Sequence, residues 1–357
     1  MVVALQVCNL NNGGTQKYVV DLANSLVKRG VIVHVVCSEN NSCDSYILDN
    51  KIKIVFFTNK SIYQKLLAQY IIDNKINILH SSDWLDWQTG WRVCNKLNII
   101  FIKTVHATPS YSYFDLFRFY LNPKNYFAVY NIIKYKLIFI SISRKAYVGL
   151  KFLYGRFTNS CVIYLGVDRG NKKVISDVND NIKVIWAGSL TERKNPFFAI
   201  EIIKNLIERG VKVSLDIYGD GPLSHELINN INKNGLSTVK VINNCKIEAS
   251  LYANYDFTLI TSNNEGTPYV IFESMSSGIP VISTKCGAVE EIIDNNITGV
   301  VIESNDPTKF ADKIISIYSD KTVYNSMSNE SYCRYLDNYN SDIMADRTLQ
   351  FYKSILK

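Results

Sequence analysis

Short apolar runs alternate with amphipathic segments along almost the whole chain of 357 residues. The first run, 2–7, precedes a polar loop with Gly13 and Gly14 and then a segment whose apolar residues share one helical face as far as Gly30. Further runs that predict strands lie at 31–37, 52–57, 76–80, 99–105, 136–141, 161–164, 183–187, 211–218, 239–242, 257–260, 281–283 and 300–302. Strands that alternate with helices predict an α/β fold with parallel sheets and helices on both faces.

A largely polar stretch without aromatic side chains, residues 169–182, interrupts this alternation. We interpret it as a linker between two Rossmann-like, doubly wound parallel-sheet domains. The predicted domains are 1–168 and 169–340, and a C-terminal helix at 341–357 is expected to pack back toward the first domain. Ligands of such sheets bind beyond the carboxyl ends of the strands. Two facing domains would therefore place a site in the cleft between them.

The segment from Glu265 to Ser274 carries the strongest chemical signal in the sequence. Glu265 follows the apolar run 257–260, the turn Gly266-Thr267-Pro268 opens a helix, and Glu273 lies about two turns into it. The N-terminus of a helix has unpaired N–H groups and a partial positive charge, which suits a diphosphate. Carboxylates accept hydrogen bonds from sugar hydroxyls. The combination predicts a site for a nucleotide sugar.

The pattern of Glu265, Glu273, Gly278, Pro280 and Val281 resembles the retaining glycosyltransferases of the GT-B type, family four (group 1). The resemblance implies transfer of a hexose from a nucleoside diphosphate sugar to a hydroxyl of a glycan, glycolipid or glycoprotein, with the anomeric configuration kept. Mannose from GDP-mannose is slightly favoured, and UDP-hexoses follow closely. Two alternatives stay open: a sugar-nucleotide epimerase of the same fold, and a catalytically weak protein that binds nucleotide sugars.

Family resemblance also implies roles for individual residues, with His106, Lys194 and Glu265 as the catalytic set. Lys194 would neutralise the leaving diphosphate, His106 would lie beside the transferred sugar, Glu265 would hold sugar hydroxyls, and Glu273 would hold the ribose. Ser189 departs from the pattern, because the family has an arginine there, and Arg193 is a candidate substitute. The remaining residues expected to bind the donor are Gly13, Gly14, Gly219, Asn244, Cys245, Lys246, Gly266, Thr267, Pro268, Tyr269 and Val270.

Positive charge is concentrated in the first half of the chain. Residues 1–168 hold 19 Lys and Arg against 9 Asp and Glu, and the stretch 111–156 holds eight basic residues against one acid among many Tyr and Phe. A nucleic acid is not expected as a partner because no recognition motif accompanies the charge. An anionic membrane surface is one interpretation, with peripheral contact through 111–156. A solvated face over an aromatic core is the other.

Cysteine and histidine positions bear on compartment and cofactors. The eight cysteines are scattered without a Cys-x-x-Cys pair, which is typical of free thiols in a reducing compartment. The four histidines lie far apart and the sequence has no Asp-x-Asp, so no metal or other cofactor is expected. There is no signal-peptide pattern and no apolar run of 18 residues. We therefore expect a cytoplasmic protein, and peripheral binding at the membrane face stays open as an alternative. We also expect a monomer or weak dimer.

Overall fold

The computed structural model describes residues 1–11, 13–39, 46–82, 87–106, 137–154, 159–173, 181–245 and 247–356. The chain forms two compact units. The first combines Met1–Gly166 with Ser341–Lys357, and the second is Val167–Asn340. The first unit therefore takes its residues from both ends of the chain.

The first unit contains a seven-stranded parallel sheet in the order β3-β2-β1-β4-β5-β6-β7. Its strands are β1 (Val2–Val7), β2 (Ile32–Cys37), β3 (Lys53–Phe56), β4 (Ile78–Ser81), β5 (Ile100–Val105), β6 (Ile138–Ser141) and β7 (Asn159–Val162). The described helices are α1 (Gly14–Lys28), α2 (Tyr63–Asp73), α3 (Trp87–Leu97) and α4 (Arg144–Tyr154). The central strand β1 is buried along almost its whole length, as expected for a strand covered on both faces.

The C-terminal helix of the chain, α11 (Ser341–Ile355), belongs to this first unit. Arg29 at the end of α1 donates hydrogen bonds to the carboxylates of Asp342 and Asp346 at 2.5–3.0 Å. Tyr352 is fully buried, and its hydroxyl lies 2.5 Å from Nδ1 of the buried His80. The helix thus completes the core around β4.

The second unit contains a six-stranded parallel sheet in the order β10-β9-β8-β11-β12-β13. Its strands are β8 (Ile182–Ala187), β9 (Val213–Tyr218), β10 (Val239–Ile242), β11 (Phe257–Ile260), β12 (Val281–Thr284) and β13 (Gly299–Ile302). Its helices are α5 (Pro196–Glu208), α6 (Ser224–Lys233), a 3-10 helix (Ala249–Asn254), α7 (Tyr269–Ser276), α8 (Val289–Ile292), α9 (Pro307–Ser319) and α10 (Lys321–Asn338). Aliphatic residues of β8, β9 and α5 form the centre of its core.

The predicted fold class is confirmed, because both sheets are parallel and helices alternate with their strands. Most strands lie where the apolar runs placed them. The strand predicted at 161–164 is shifted, since β7 pairs with β6 through Asn159–Val162. Part of the predicted linker, 174–180, lies outside the described residues.

Strand order reverses in each sheet at one point, and in the second unit this point lies between β8 and β11. The chain leaves β8 toward β9 on one side, whereas β11 and β12 lie on the other side. The carboxyl ends of β8 and β11 therefore flank the point at which doubly wound sheets bind their ligands. The loop of Lys194 follows β8, and the loop of Glu265 follows β11.

Candidate functional site

The loops after β8 and β11 are tied together by hydrogen bonds. Trp186 Nε1 donates to the hydroxyl of Thr261 at 2.9 Å, and that hydroxyl donates to the carbonyl of Asn195 at 2.8 Å. The backbone N–H of Asn263 donates to the carbonyl of Arg193 at 2.9 Å. These contacts fix the backbone of both loops, so side chains that leave them start from defined positions.

Glu265 lies between two cations at this junction. Its Oε1 accepts hydrogen bonds from Lys194 Nζ and, at 2.8 Å, from the hydroxyl of Ser262, while its Oε2 accepts from Arg193 Nη1 at 3.0 Å. The Glu265 side chain is 6% exposed and that of Lys194 is 16% exposed, whereas that of Arg193 is 52% exposed. The structure therefore brings together three residues that the sequence analysis selected, and adds Ser262.

The turn before α7 is held in place by a glycine that sequence analysis did not select. Gly287 has φ +53°, and a Cβ atom there would lie 2.4–2.5 Å from the carbonyl oxygens of Glu265 and Gly266. The N–H of Ala288 also donates to the Gly266 carbonyl at 2.9 Å. A side chain at position 287 would push the turn outward. The position of this glycine directly after a strand was the only signal in the sequence.

The N-terminus of α7 faces a small pocket without a side-chain cap. Pro268 occupies the N-cap position, and no side chain accepts a hydrogen bond there. Helix N-termini carry unpaired N–H groups and a partial positive charge. The pocket is lined by Trp186, Ala187, Lys194, Leu259, Ile260, Ser262, Glu265, Pro268 and Val270. An apolar floor, one lysine and a helix N-terminus together favour an anionic group attached to a less polar one.

Glu273 lies deeper, on α7, and is 5% exposed. Its Oε2 accepts a hydrogen bond from the hydroxyl of Tyr252 at 2.9 Å. Burial, and next the charge of Glu273, raise the pKa of Tyr252 well above its usual value, so the hydroxyl stays protonated and keeps donating. Tyr252 stands on the 3-10 helix, 21 residues before Glu273, and no motif in the sequence pointed to it.

The loop after β9 packs directly on the loop after β8. A Cβ atom at Gly219 would lie 1.8 Å from the carbonyl oxygen of Gly188, so only glycine fits. Asn244, with φ +51°, donates its backbone N–H to both carboxylate oxygens of Asp220 at 3.1 Å. Cys245 is exposed, and Lys246 lies outside the described residues. Asp220 had no predicted role, yet it orients the Asn244 segment.

The predicted residues of the first unit lie at the carboxyl end of its own sheet. Gly13 precedes α1, Gly14 begins it, and Gly13 exchanges hydrogen bonds of 3.0 Å with the hydroxyl of Tyr46 through both its N–H and its carbonyl. His106 follows β5, and its buried Nε2 has no hydrogen-bond partner among the described residues. Burial lowers the pKa of His106 well below its usual value, helped by the charges of Lys103 and His80, so the ring is neutral.

Groups that could hold a metal ion are absent from the described part of the chain, which contains no cluster of three or more His, Cys, Asp or Glu side chains in suitable positions. Nor does any helix in the described ranges combine the length and the apolar character needed to cross a membrane.

Two family profiles match the chain, one after the other. Residues 12–170 match the family described as Glycosyltransferase Family 4, and residues 168–334 match Glycosyl transferases group 1. The chain is a group 1 glycosyltransferase of family four. Both units of this glycosyltransferase thus belong to the family, and the predicted resemblance is confirmed.

Curated relatives agree with this assignment. An uncharacterised glycosyltransferase of Methanocaldococcus jannaschii is 24% identical over 261 residues, which cover 72% of this chain and 70% of the relative. The capsular polysaccharide biosynthesis glycosyltransferase CapM of Staphylococcus aureus is also 24% identical, over 50% of this chain and 48% of CapM.

Solved structures share the fold along the whole chain. A glycosyltransferase from Rickettsia africae has a TM-score of 0.79 at 20% identity and covers 99% of this chain and 98% of its own. HepE of Anabaena, in complex with UDP and glucose, has a TM-score of 0.80 at 18% identity and covers 99% of both chains. This glycosyltransferase therefore has the GT-B fold.

Proposed function

We propose that this glycosyltransferase moves a hexose from a nucleoside diphosphate sugar to a hydroxyl of a glycan, glycolipid or glycoprotein, with the anomeric configuration kept and without a metal ion. The observation that carries the proposal is the cluster of Lys194, Glu265 and Arg193 beside the uncapped N-terminus of α7. Positive charge and hydroxyl acceptors lie there within one pocket of the second unit.

The diphosphate of the donor would bind Lys194 and the first turn of α7. The ammonium of Lys194 is a compact positive charge, and the helix adds roughly half an elementary charge at its N-terminus. Together they offset the charge that develops on the leaving diphosphate. A metal ion is not needed for this task.

Sugar and ribose would each bind a carboxylate. Glu265 lines the pocket, and hydroxyl groups of the hexose can donate to its oxygens. Glu273, oriented by Tyr252, would accept from the ribose hydroxyls. Binding of the free nucleotide should therefore depend on Glu273, and recognition of the sugar should depend on Glu265.

Retention of configuration would follow from a front-side displacement. The leaving phosphate takes the proton of the acceptor hydroxyl, and the protein contributes positioning and charge stabilisation. A neutral His106 can hydrogen-bond the transferred sugar without adding charge to it. The backbone N–H of Gly14 would bind the phosphates, since glycine permits close approach, whereas the N–H of Gly13 donates to Tyr46.

Calorimetry with GDP-mannose, UDP-glucose and an ADP-sugar tests the donor, each with and without EDTA. GDP-mannose is the first choice from the sequence, and UDP-glucose is included because HepE was solved with UDP and glucose. We expect one of them to bind equally well with chelator. Failure of all three, or loss of binding with EDTA, would contradict the proposal. Incubation of the donor alone, followed by product analysis, identifies an epimerase.

Two variants test the division of labour. Glu273→Ala should weaken both the nucleoside diphosphate and the sugar nucleotide by about 1.5–3 kcal/mol, because a charged acceptor is lost. Glu265→Ala should weaken only the sugar nucleotide. If both variants lose both ligands equally, the assignment is wrong.

We also propose that the first unit contacts an anionic membrane surface, on which a lipid-linked acceptor would lie. On α4, Val148 is 63% exposed and Phe152 is 57% exposed, and the same helix carries Arg144, Lys145 and Lys151 with no acidic residue. Exposed apolar side chains among cations suit anionic lipid headgroups. Of the basic stretch 111–156, residues 111–136 and 155–156 lie outside the described residues.

Co-sedimentation with liposomes tests this contact. Binding should require anionic lipid, weaken as salt is raised, and fall in the double variant Lys145→Glu and Lys151→Glu. Lys240→Glu, an exposed lysine on β10 of the second unit, is the matched control and should bind normally. Equal binding to neutral and anionic liposomes would rule the contact out.

A further inference from the structure

The carboxylate of Glu265 and the two cations beside it form a closed ionic cluster. Both oxygens are engaged, Oε1 by Lys194 and Ser262 and Oε2 by Arg193. A carboxylate has about four acceptor positions in all. Three of these positions are taken, so a hexose that places two hydroxyls on Glu265 competes with hydrogen bonds from within the protein.

Arg193 is anchored at its backbone, and its guanidinium is held through Nη1 alone. Its carbonyl accepts from the N–H of Asn263, and Nη1 donates to Glu265 and, at 3.0 Å, to the carbonyl of Asn264. A guanidinium has five N–H donors. Nε and Nη2 have no protein acceptor among the described residues, and half of the side chain is exposed. The head can turn toward a ligand while the loop stays fixed.

The positive charge of the cluster favours an anion that carries more negative charge than one carboxylate. Two cations surround a single carboxylate, and the N-terminus of α7 adds positive potential beside them. A diphosphate carries more negative charge than Glu265 and offers more acceptor oxygens. Arginine binds phosphate oxygens through paired N–H groups. Ser189, in the same loop as Arg193, has no charge to contribute.

We infer that Glu265 competes with the diphosphate for two cations, Lys194 and Arg193, the latter acting in place of the arginine that Ser189 replaces. Binding of the diphosphate moves both cations from the carboxylate to phosphate oxygens. The same movement frees the Glu265 oxygens for the hexose hydroxyls. Sugar recognition is thereby coupled to diphosphate binding, because Glu265 can accept from a pair of hexose hydroxyls only after a cation has left. This inference rests on the proposed function.

The coupling predicts that two substitutions change the affinity for free nucleotide in opposite directions. Arg193→Ala should weaken GDP or UDP, whichever the wild type binds, by about tenfold, as expected for loss of one charge-assisted hydrogen-bonded pair. Glu265→Gln should tighten the same nucleoside diphosphate by about threefold or more, since both cations are released, and should weaken the sugar nucleotide. The preference for sugar nucleotide over free nucleotide is lost in Glu265→Gln.

Calorimetry at low salt measures these effects with GDP, UDP, their monophosphates and inorganic pyrophosphate. The control is Arg209→Ala, which removes an exposed guanidinium that pairs with Asp312, outside the two loops. Arg193→Lys separates charge from the paired geometry and should recover part of the affinity. The Arg193 substitutions should change the affinity for monophosphates less than the affinity for diphosphates, because fewer oxygens of a monophosphate reach Arg193.

Three results would overturn the inference. The first is that Arg193→Ala binds diphosphate as tightly as Arg209→Ala does, and the second is that Glu265→Gln binds diphosphate less tightly than the wild type. The third is that Arg193→Ala lowers the affinity for monophosphate as much as the affinity for diphosphate. If the wild type binds no nucleotide, the proposed function fails. In that case the titration with inorganic pyrophosphate still tests whether the two cations move from Glu265 to phosphate oxygens. Arg193 is half exposed, so its variants are expected to fold even if Glu265→Gln does not.

Discussion

At the scale of single residues, the hydrogen bond between Tyr252 and Glu273 determines how a buried carboxylate is oriented. Tyr252 is fully buried in a cluster with Tyr218, Tyr255 and Ile279, so its ring cannot move away. The bond of 2.9 Å joins a donor on the 3-10 helix to an acceptor on α7. Tyr252 is therefore a positioning residue for the proposed ribose contact.

Tyr252→Phe keeps the buried ring and removes the hydroxyl. We expect the affinity for nucleoside diphosphate to fall about three- to tenfold, which corresponds to about 1 kcal/mol for one hydrogen bond. Tyr255→Phe is the matched control, because its hydroxyl binds Tyr218 and Asp216 in the same cluster but not Glu273. Isothermal titration of both variants distinguishes positioning of Glu273 from general loosening of the cluster, which would weaken both alike.

The buried His80 makes the stability of the protein depend on pH. Burial lowers its pKa to about 3, helped by the charge of Lys103, and its two ring nitrogens lie 2.5 Å from the hydroxyls of Tyr352 and Thr104. The unfolded chain takes up a proton near pH 6.5, whereas the folded chain does not. Stability contributed by the neutral ring is therefore complete above about pH 6.5 and is lost as the pH falls toward 3.

We expect this single group to cost about 1.4 kcal/mol of unfolding free energy for each pH unit below 6.5. Urea denaturation at pH 7.5, 6.0 and 5.0 measures the slope. In His80→Gln the slope should shrink by about one proton, although the variant starts less stable. A residual slope remains because burial also lowers the pKa values of His34 and His106. An unchanged slope in His80→Gln would show that His80 is protonated in the folded chain.

At the scale of elements, the loops after β8, β9 and β11 act as one assembly at the carboxyl end of the second sheet. The β8 loop is bonded to the β11 loop through Thr261, and it contacts the β9 loop at Gly188 and Gly219 without room for a side chain. Lys194 and Arg193 lie in the β8 loop, which is the middle one of the three. Their positions depend in part on contacts that other residues of these loops make, at Thr261 and at Gly219.

Gly219→Ala tests that dependence. The new Cβ would overlap the Gly188 carbonyl, so the loops must separate at a cost of about 3 kcal/mol, the upper range for overpacking. Nucleotide affinity should fall as well. Gly235→Ala is the matched control, because it also has positive φ, +63°, but nothing lies within 4 Å of its Cβ. It should cost only about 1 kcal/mol of backbone strain and leave binding intact.

At the scale of the whole molecule, the first unit is completed by the last helix of the chain. Tyr352 of α11 fills the core beside His80, and Arg29 pairs with two carboxylates of the same helix. Residues 1–166 alone would expose the buried His80 and the inner face of α1. The second unit, Val167–Asn340, contains all of its own strands.

Removal of residues 341–357 should therefore destabilise the first unit selectively. Hydrogen exchange should show lost protection in β1 and β4, with protection kept in β8 and β11. Arg29→Ala is the control, because it removes the ion pairs with Asp342 and Asp346 and the hydrogen bonds to the carbonyls of Ser25 and Asp342 but keeps the helix. It should cost about 1–2 kcal/mol. Uniform loss of protection across both sheets would show that the units do not unfold separately.

The sequence by itself determined the elements of this protein. Apolar runs of strand length, amphipathic helices and glycines at loop positions depend on neighbours a few residues away, so they can be read directly from the sequence. For that reason β1, β10 and β11 lie where the pattern predicted them. The turn from Glu265 to the start of α7, and the position of Lys194 after β8, follow from the same local rules.

Only the tertiary structure decided which side chains meet. Glu265 contacts Arg193 and Lys194 across more than 70 residues of chain, and Tyr252 reaches Glu273 from another element. Such pairs depend on the order of strands in the sheet, because strand order determines which loops become neighbours. Apolar patterning is the same for every strand order. Packing therefore made Arg193 and Lys194 partners of Glu265, and Tyr252 a partner of Glu273, and no local pattern in the sequence contains these pairings.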